Sequence, residues 1–255
     1  MNRMHTGRWM PRLVSAAVLI AAWELLARWI NGLLFPSFTQ TVTAAVRVVP
    51  SPQFWSAIWV SHEALVIGFT VAAVLGIAAG LIMGRWPAAD AFIDPYLAIL
   101  LVTPMSALIP IVILALGLKL PARAVVVVLF AVAVVAVNTR TGVRTLQSSW
   151  LEMARSFGAS ERQLWWTIVL PAALPAIMTG LRLGLGRAFT GMIAVELLLV
   201  AVGIGRLILE FQGLFDSGAV YSVILLLVVE AVLLLRLLRY AERRLAPWAG
   251  LVATE

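Results

Sequence analysis

Residues 152–171 read EMARSFGASERQLWWTIVLP, a polar, charged island in a chain that is otherwise almost continuously apolar. Its first part, Trp150 to Phe157, mixes Leu151, Met153, Ala154 and Phe157 with Glu152 and Arg155, the pattern of a short helix with one greasy side. Gly158 is placed to take a left-handed conformation and stop that helix. Ser160, followed three residues later by Gln163, fits a capping box that starts a second helix. Pro171 and Pro175 then mark the start of the next apolar stretch. Read this way the island is an elbow of two short helices at a membrane surface. The plainer alternative is an ordinary amphipathic loop.

The rest of the chain says why a membrane is involved. Of 255 residues, 62% are hydrophobic and 12% are charged, and the mean hydropathy is +1.01. A soluble domain carries about 25% charged residues, so the expected fold class is an all-α polytopic membrane protein. No cysteine is present, which excludes disulfides and thiolate metal sites. The two histidines, His5 and His62, are far apart, so a histidine-rich metal site is not expected. The net charge of +7 suits nucleic acid in principle. The arginines, however, flank apolar runs and read as topology signals, so no nucleic-acid partner is expected.

A helical span needs about 20 apolar residues. Six candidates follow: Leu13–Ile30, Ala64–Gly84, Pro95–Leu118, Ala124–Asn138, Leu174–Val200 and Ser217–Leu235. Arg3, Arg8 and Arg12 ahead of the first suggest a signal peptide. The run continues to Ile30 without a small-x-small cleavage site, which favours an uncleaved span. Glu24 and Arg28 within it stand four apart and can pair on one face. Six spans put both termini on one side. Arg3, Arg8, Arg12, Arg85, Arg140, Arg144, Arg155, Arg162, Arg236, Arg239, Arg243 and Arg244 fall on that side, against Arg28, Arg47, Lys119, Arg123 and Arg206 on the other. The positive-inside rule therefore makes both termini and the island cytoplasmic.

Within the spans, Gly76, Gly80 and Gly84 repeat every four residues, and Gly180 and Gly184 do the same further on. These are expected to be sites of close helix packing rather than of binding. Pro104 and Pro110 interrupt the third span and make it a candidate pathway wall or a simple kink. Arg182, Arg187, Glu196 and Glu230 are ionisable residues inside spans, where charge is expensive. Arg182 can snorkel to the cytoplasmic side. Arg187 and Glu230 reach comparable depth from opposite sides and are expected to pair. Glu196 is a candidate for an external gate or an inter-subunit contact. Structural pairing is the plainer explanation for all of them. The stretch Gly203–Gly218 is amphipathic and reads either as a helix on the membrane surface receiving a binding protein or as a linker.

Glu152, Ala154, Gly158, Ile168, Leu170 and Pro171 stand in the register of the EAA loop of ABC-importer permeases, written EAA, three residues, G, nine residues, I, one residue, LP. Met153 replaces the first alanine. The resemblance extends over roughly Phe54 to Arg244 through GIAAGLIMGR, IDPYLAILLVTPMSALIPIVILALGL, NTRTGVRTL and TGLRLGLGRAFTGMIAVELL. Together these resemble the permease subunits of the nitrate, sulfonate and taurine group. The resemblance implies one permease domain over 1–255, with a first span at 13–30, a core at 64–244 and a cytoplasmic coupling loop at 150–171. It implies a homodimer working with an ABC ATPase dimer and an extracytoplasmic substrate-binding protein in the bacterial inner membrane, carrying a small anion such as a sulfonate, taurine or nitrate. Glu152 would be a contact or cap at the ATPase groove, and Gly158 would set the turn.

The single lysine, Lys119, is followed by Leu120, so no GxxxxGK[ST] loop can be written. The chain is expected to be non-catalytic and without a cofactor, with ATP bound by a separate partner subunit. A secondary transporter or channel would call for inverted repeats or a polar filter. A membrane enzyme would call for a clustered catalytic set. Neither pattern is evident.

Overall fold

A computed structural model describes residues 10–30, 34–198 and 201–245, and all regular elements among them are helices. In chain order these are α1 (Met10–Ile30), α2 (Phe38–Val48), α3 (Pro52–Arg85), α4 (Pro87–Val102), α5 (Ile109–Leu116), α6 (Leu120–Arg144), α7 (Ser148–Ser156), α8 (Glu161–Leu164), α9 (Leu170–Leu198), α10 (Gly203–Gly213) and α11 (Ser217–Leu245). Arg3, Arg8 and His5, and the Leu199–Val200 end of the fifth expected span, lie outside the described residues. Five stretches are long and apolar enough to cross a membrane, and six if α4 and the bent segment after it count as one.

The boundaries differ from the hydropathy reading where capping outweighs polarity. The second span begins at Pro52 rather than Ala64. Ser51 accepts the Phe54 N–H on its side chain and Pro52 supplies the preset first turn, so the polar residues up to Glu63 are helical too. The fourth runs from Leu120 to Arg144, well past the expected Ala124–Asn138. α8 runs into α9 through a π turn, Trp165–Val169, in which Leu170 N–H donates to the Trp165 carbonyl. The wider turn precedes Pro171, which has no N–H to continue an ordinary ladder.

The centre of the bundle is α6, held between α3 and α9. Gly68, Gly76, Gly80 and Gly84 place the α3 backbone directly on Ala124, Val127, Val132, Val135, Ala136, Thr139 and Val143 of α6. On the other side Gly180 and Gly184 of α9 abut Val135 and Asn138, and Gly142 of α6 abuts Ala173 and Ala176. The expected packing role of these glycines is what the structure shows: without a hydrophobic drive between helices in lipid, close backbone approach supplies the attraction. Leu65, Ala72, Val127, Ala131, Ala188 and Met192 fill the seam among the three helices.

The third span is broken. α4 and the segment Met105–Leu116 meet at 97°. The break falls at Thr103–Pro104, and Pro104 opens a short 3-10 turn, Met105–Leu108. Pro110 is not part of the break. It stands in the first turn of α5, where its missing N–H costs nothing.

At the end of α3 remote from Arg85, α10 packs Ile204, Leu207 and Ile208 against Val48, Phe54, Ala57, Ala219, Val223 and Leu227. The amphipathic face expected to lie on the membrane surface is thus used inside the chain. α1 is almost wholly exposed and touches the rest mainly near α2, where Trp23 Nε1 donates to the Pro36 carbonyl at 3.0 Å. The expected Glu24–Arg28 pair is present at 2.8 Å.

Candidate functional site

The island is a two-helix elbow. α7 ends in a Schellman arrangement: Ala159 N–H donates to the Ala154 carbonyl at 3.0 Å and Gly158 N–H to that of Arg155 at 2.9 Å. Gly158 has φ of +80°, the left-handed conformation its place in the sequence calls for. Ser160 then forms the full capping box with Gln163, so α8 starts at once in a new direction.

The elbow has two faces. Leu151 and Trp165 turn inward onto Val143, Val169, Ala173 and Ile177, together with Ile77 and Leu81 of α3 and Leu181 of α9. On the opposite face Trp150, Met153 and Phe157, spaced by three and four, are exposed, Phe157 to 86%. Glu152 is exposed, while Ala154, Ile168, Leu170 and Pro171 are half-buried. The deepest residues of the stretch are Leu164 and Val169, which the motif does not name.

Ion pairs tie the elbow end together. Glu161 reaches Arg85 at 3.2 Å and Arg155 at 2.9 Å, joining α8 to the end of α3 and to α7. Asp90 of α4 pairs with Arg140 at 2.9 Å and Arg144 at 2.7 Å, and Asp94 also pairs with Arg140. In the sequence these arginines read as orientation signals. Apart from Arg155, six residues from Glu161, their acidic partners lie 46 to 76 residues away in the chain, a distance no local pattern spans.

The expected pathway residues fall into separate places. Arg187 does not pair with Glu230. Glu230 pairs with His62 of α3, which in the sequence looked isolated. Arg182 pairs with Glu242 of α11 at 3.2 Å. Glu196 is fully buried within the chain, so its side chain is not on a surface that a second subunit could touch. Its Oε2 accepts from Ser61 Oγ at 2.8 Å and from Gly205 N–H at 3.0 Å, and Ile204 N–H donates to Ser61 Oγ at 2.9 Å. Glu196 and Ser61 therefore hold the N-terminus of α10, with Arg123 3.8 Å away as counter-charge. Pro104 and Arg187 do come together, on the wall of a cavity of about 350 Å³ that also includes Thr103, Ser106 and Thr190.

The chain has relatives among known proteins. The family described as binding-protein-dependent transport system inner membrane component matches residues 72–247. The chain belongs to this family. It is therefore a multi-pass membrane protein and a permease subunit of an ABC importer, a class that transports rather than catalyses. The chain is 30% identical over 242 residues to the taurine transport system permease protein TauC of Escherichia coli, covering 92% of this chain and 88% of that one. It is 28% identical over 246 residues to the nitrate import permease protein NrtB of Synechocystis, covering 92% and 88%. Among solved structures it resembles a chain of the inward-facing MetNI methionine ABC transporter, with a TM-score of 0.57 at 20% identity, covering 77% of this chain and 97% of that one. At that identity the likeness concerns the fold.

Proposed function

We propose that two copies of this permease form the pathway of an importer for a small anion, with α7 of each copy seated in a groove of a separate ATPase subunit. The observation that carries the reading is the exposed trio Trp150, Met153 and Phe157 on an elbow whose other face is anchored. An exposed apolar row at helical spacing is a groove-binding face. Its anchoring explains how a pull could be passed on. Leu151 and Trp165 connect the elbow to α3, α6 and α9 by packing, and Glu161 connects it to α3 by charge. The glycine contacts along α3, α6 and α9 resist bending, so a displaced elbow moves the three helices as one body.

In this reading the elbow and both termini are cytoplasmic, as the arginine bias suggests. The opposite end, with its cavity of about 490 Å³ around Gln40, Thr43, Arg47 and Asp216, faces the extracytoplasmic binding protein. The chain needs no cofactor, because ATP is bound and hydrolysed by the partner. The names of TauC and NrtB, a taurine and a nitrate permease, support a cargo that bears an oxyanion group.

The test is purification of the chain with its ATPase after changing Met153 and Phe157 together to serine. The ATPase should be lost from the complex while the chain still inserts and runs as a single species in detergent. An ATPase that stays bound in equal amount would overturn the docking face.

A further inference from the structure

We propose that the cavity at the break of the third span is an anion-binding station within the membrane, with Arg187 as its charge and an alkanesulfonate-like monoanion as its ligand. This rests on the importer reading above and deepens it.

Two independent observations meet at this cavity. The first is Arg187. α9 is 29 residues long, and Arg187 lies about 25 Å from Leu170 and about 17 Å from Leu198 at 1.5 Å per residue, deep within the span. Arg182 and Arg123, the other arginines within spans near it, have acidic partners. Arg187 is exposed and has neither an ion pair nor a hydrogen bond among the described residues. A bare guanidinium at that depth is not stable against lipid, so it must face water or a counter-ion. The second is the backbone. Irregular main chain at membrane depth is tolerated only where it is covered by protein or lines a cavity. The Thr103–Pro104 break, bent by 97°, lines this one.

The chemistry of the lining narrows the ligand. Arg187 offers a planar fork of donors that matches an oxyanion head. Ser106 adds a hydroxyl, whereas those of Thr103 and Thr190 already donate to the carbonyls of Ile99 and Gly186. Leu100, Leu101, Met105, Phe130 and Val134 supply apolar wall. Among the described residues no aspartate or glutamate lines the cavity. An ammonium group on the ligand would find no counter-charge there, while a short alkyl tail would be covered. The site therefore favours a compact oxyanion on an apolar tail over a zwitterion.

The chain has no cysteine, so Thr190→Cys places a single thiol at the cavity. In membranes holding the assembled importer, this thiol is reacted with sulfonatoethyl methanethiosulfonate, itself an alkanesulfonate, and with the cationic trimethylammonium analogue. The anionic reagent should react about tenfold faster relative to the cationic one than each does with free thiol, as a focused single charge dictates. Ethanesulfonate should slow the reaction more than taurine does. Adding Arg187→Gln should abolish the charge preference, and Arg187→Lys should keep most of it. Equal rates for the two reagents, or a preference that survives Arg187→Gln, would overturn the proposal. Labelling reads the cavity whether or not the ATPase is attached, so its failure is distinct from failure of the docking test on Met153 and Phe157.

Discussion

Gly80→Ala should loosen the centre of the bundle although it adds one methyl group. A Cβ at position 80 would stand 2.5 Å from the Ala136 carbonyl oxygen and 2.5 Å from Thr139 Cβ. Ordinary contact begins near 3.4 Å, so α3 and α6 must separate by about 1 Å, because neither a helix carbonyl nor a Cβ can swing aside. A gap of that size forfeits about a quarter to a half of the dispersion energy at the contacts it opens. Alanine also gains about 1 kcal/mol of helix propensity over glycine. Overpacking against two atoms that cannot yield belongs to the upper half of the usual range, about 2–3 kcal/mol, so the net loss should be about 1–2 kcal/mol. Gly186→Ala is the matched control. It lies in α9, with nothing within 4 Å of a Cβ, and should be neutral or mildly stabilising. The assay is thermal unfolding of the purified chain in detergent, followed by fluorescence. Gly80→Ala should lower the midpoint by about 3–5 °C, and Gly186→Ala should leave it unchanged or raise it. Equal midpoints for the two variants would refute the claim that α3 and α6 are held by backbone proximity.

The elbow and α10 give further expectations. At Gly158 the φ of +80° disfavours a side chain by about 1 kcal/mol, although no atom would clash with it. Gly158→Ala should therefore reduce ATP hydrolysis stimulated by the binding protein without affecting insertion, and Gly158→Asn, which tolerates this conformation better, should reduce it less. Glu196→Gln keeps an acceptor for Ser61 and Gly205 but leaves Arg123 buried without its counter-charge. The amides of α10 should then exchange hydrogen faster, and adding Arg123→Gln should recover part of the protection.

Much of the fold was legible because the signals are local. The 20-residue apolar runs, the four-residue glycine spacing and the Ser160–Gln163 box each declare themselves within one or two turns of helix. Gly158 was legible for the same reason, since a turn between two capped helices leaves few residues able to make it. Helix starts were harder. Pro52 opens a helix whose first turns are polar, so hydropathy alone places the start at Ala64. Charge pairing was harder still. Depth along a helix was enough to bring Arg187 and Glu230 to the same level, but not to say which way each faces. A helix positions a side chain by rotation as well as by height, and rotation is set by the whole bundle. That is how Glu230 comes to meet His62, and why Glu196 turns inward to hold α10.

The same distinction separates the parts of the molecule that stay fixed from those that can move. The long contacts of α6 with α3 and α9 set glycine backbone against carbonyls and short side chains, have little play, and are interrupted by no charge along most of their length. At the elbow end the links change character. Glu161 with Arg85 and Arg155, and Asp90 and Asp94 with Arg140 and Arg144, are partly exposed pairs that hold weakly and exchange partners at low cost. The third span adds a break at Thr103–Pro104, on the wall of the cavity that Arg187 also lines. A stiff centre, an adjustable grip on the elbow and a break at the cavity are the components a motion needs if it is to begin at α7 and end at Arg187. Force applied to Phe157 would be spent first on the ion pairs and then on turning the three-helix body. The broken span lies outside that body, so under our proposal it is the element whose movement would change the space around Arg187.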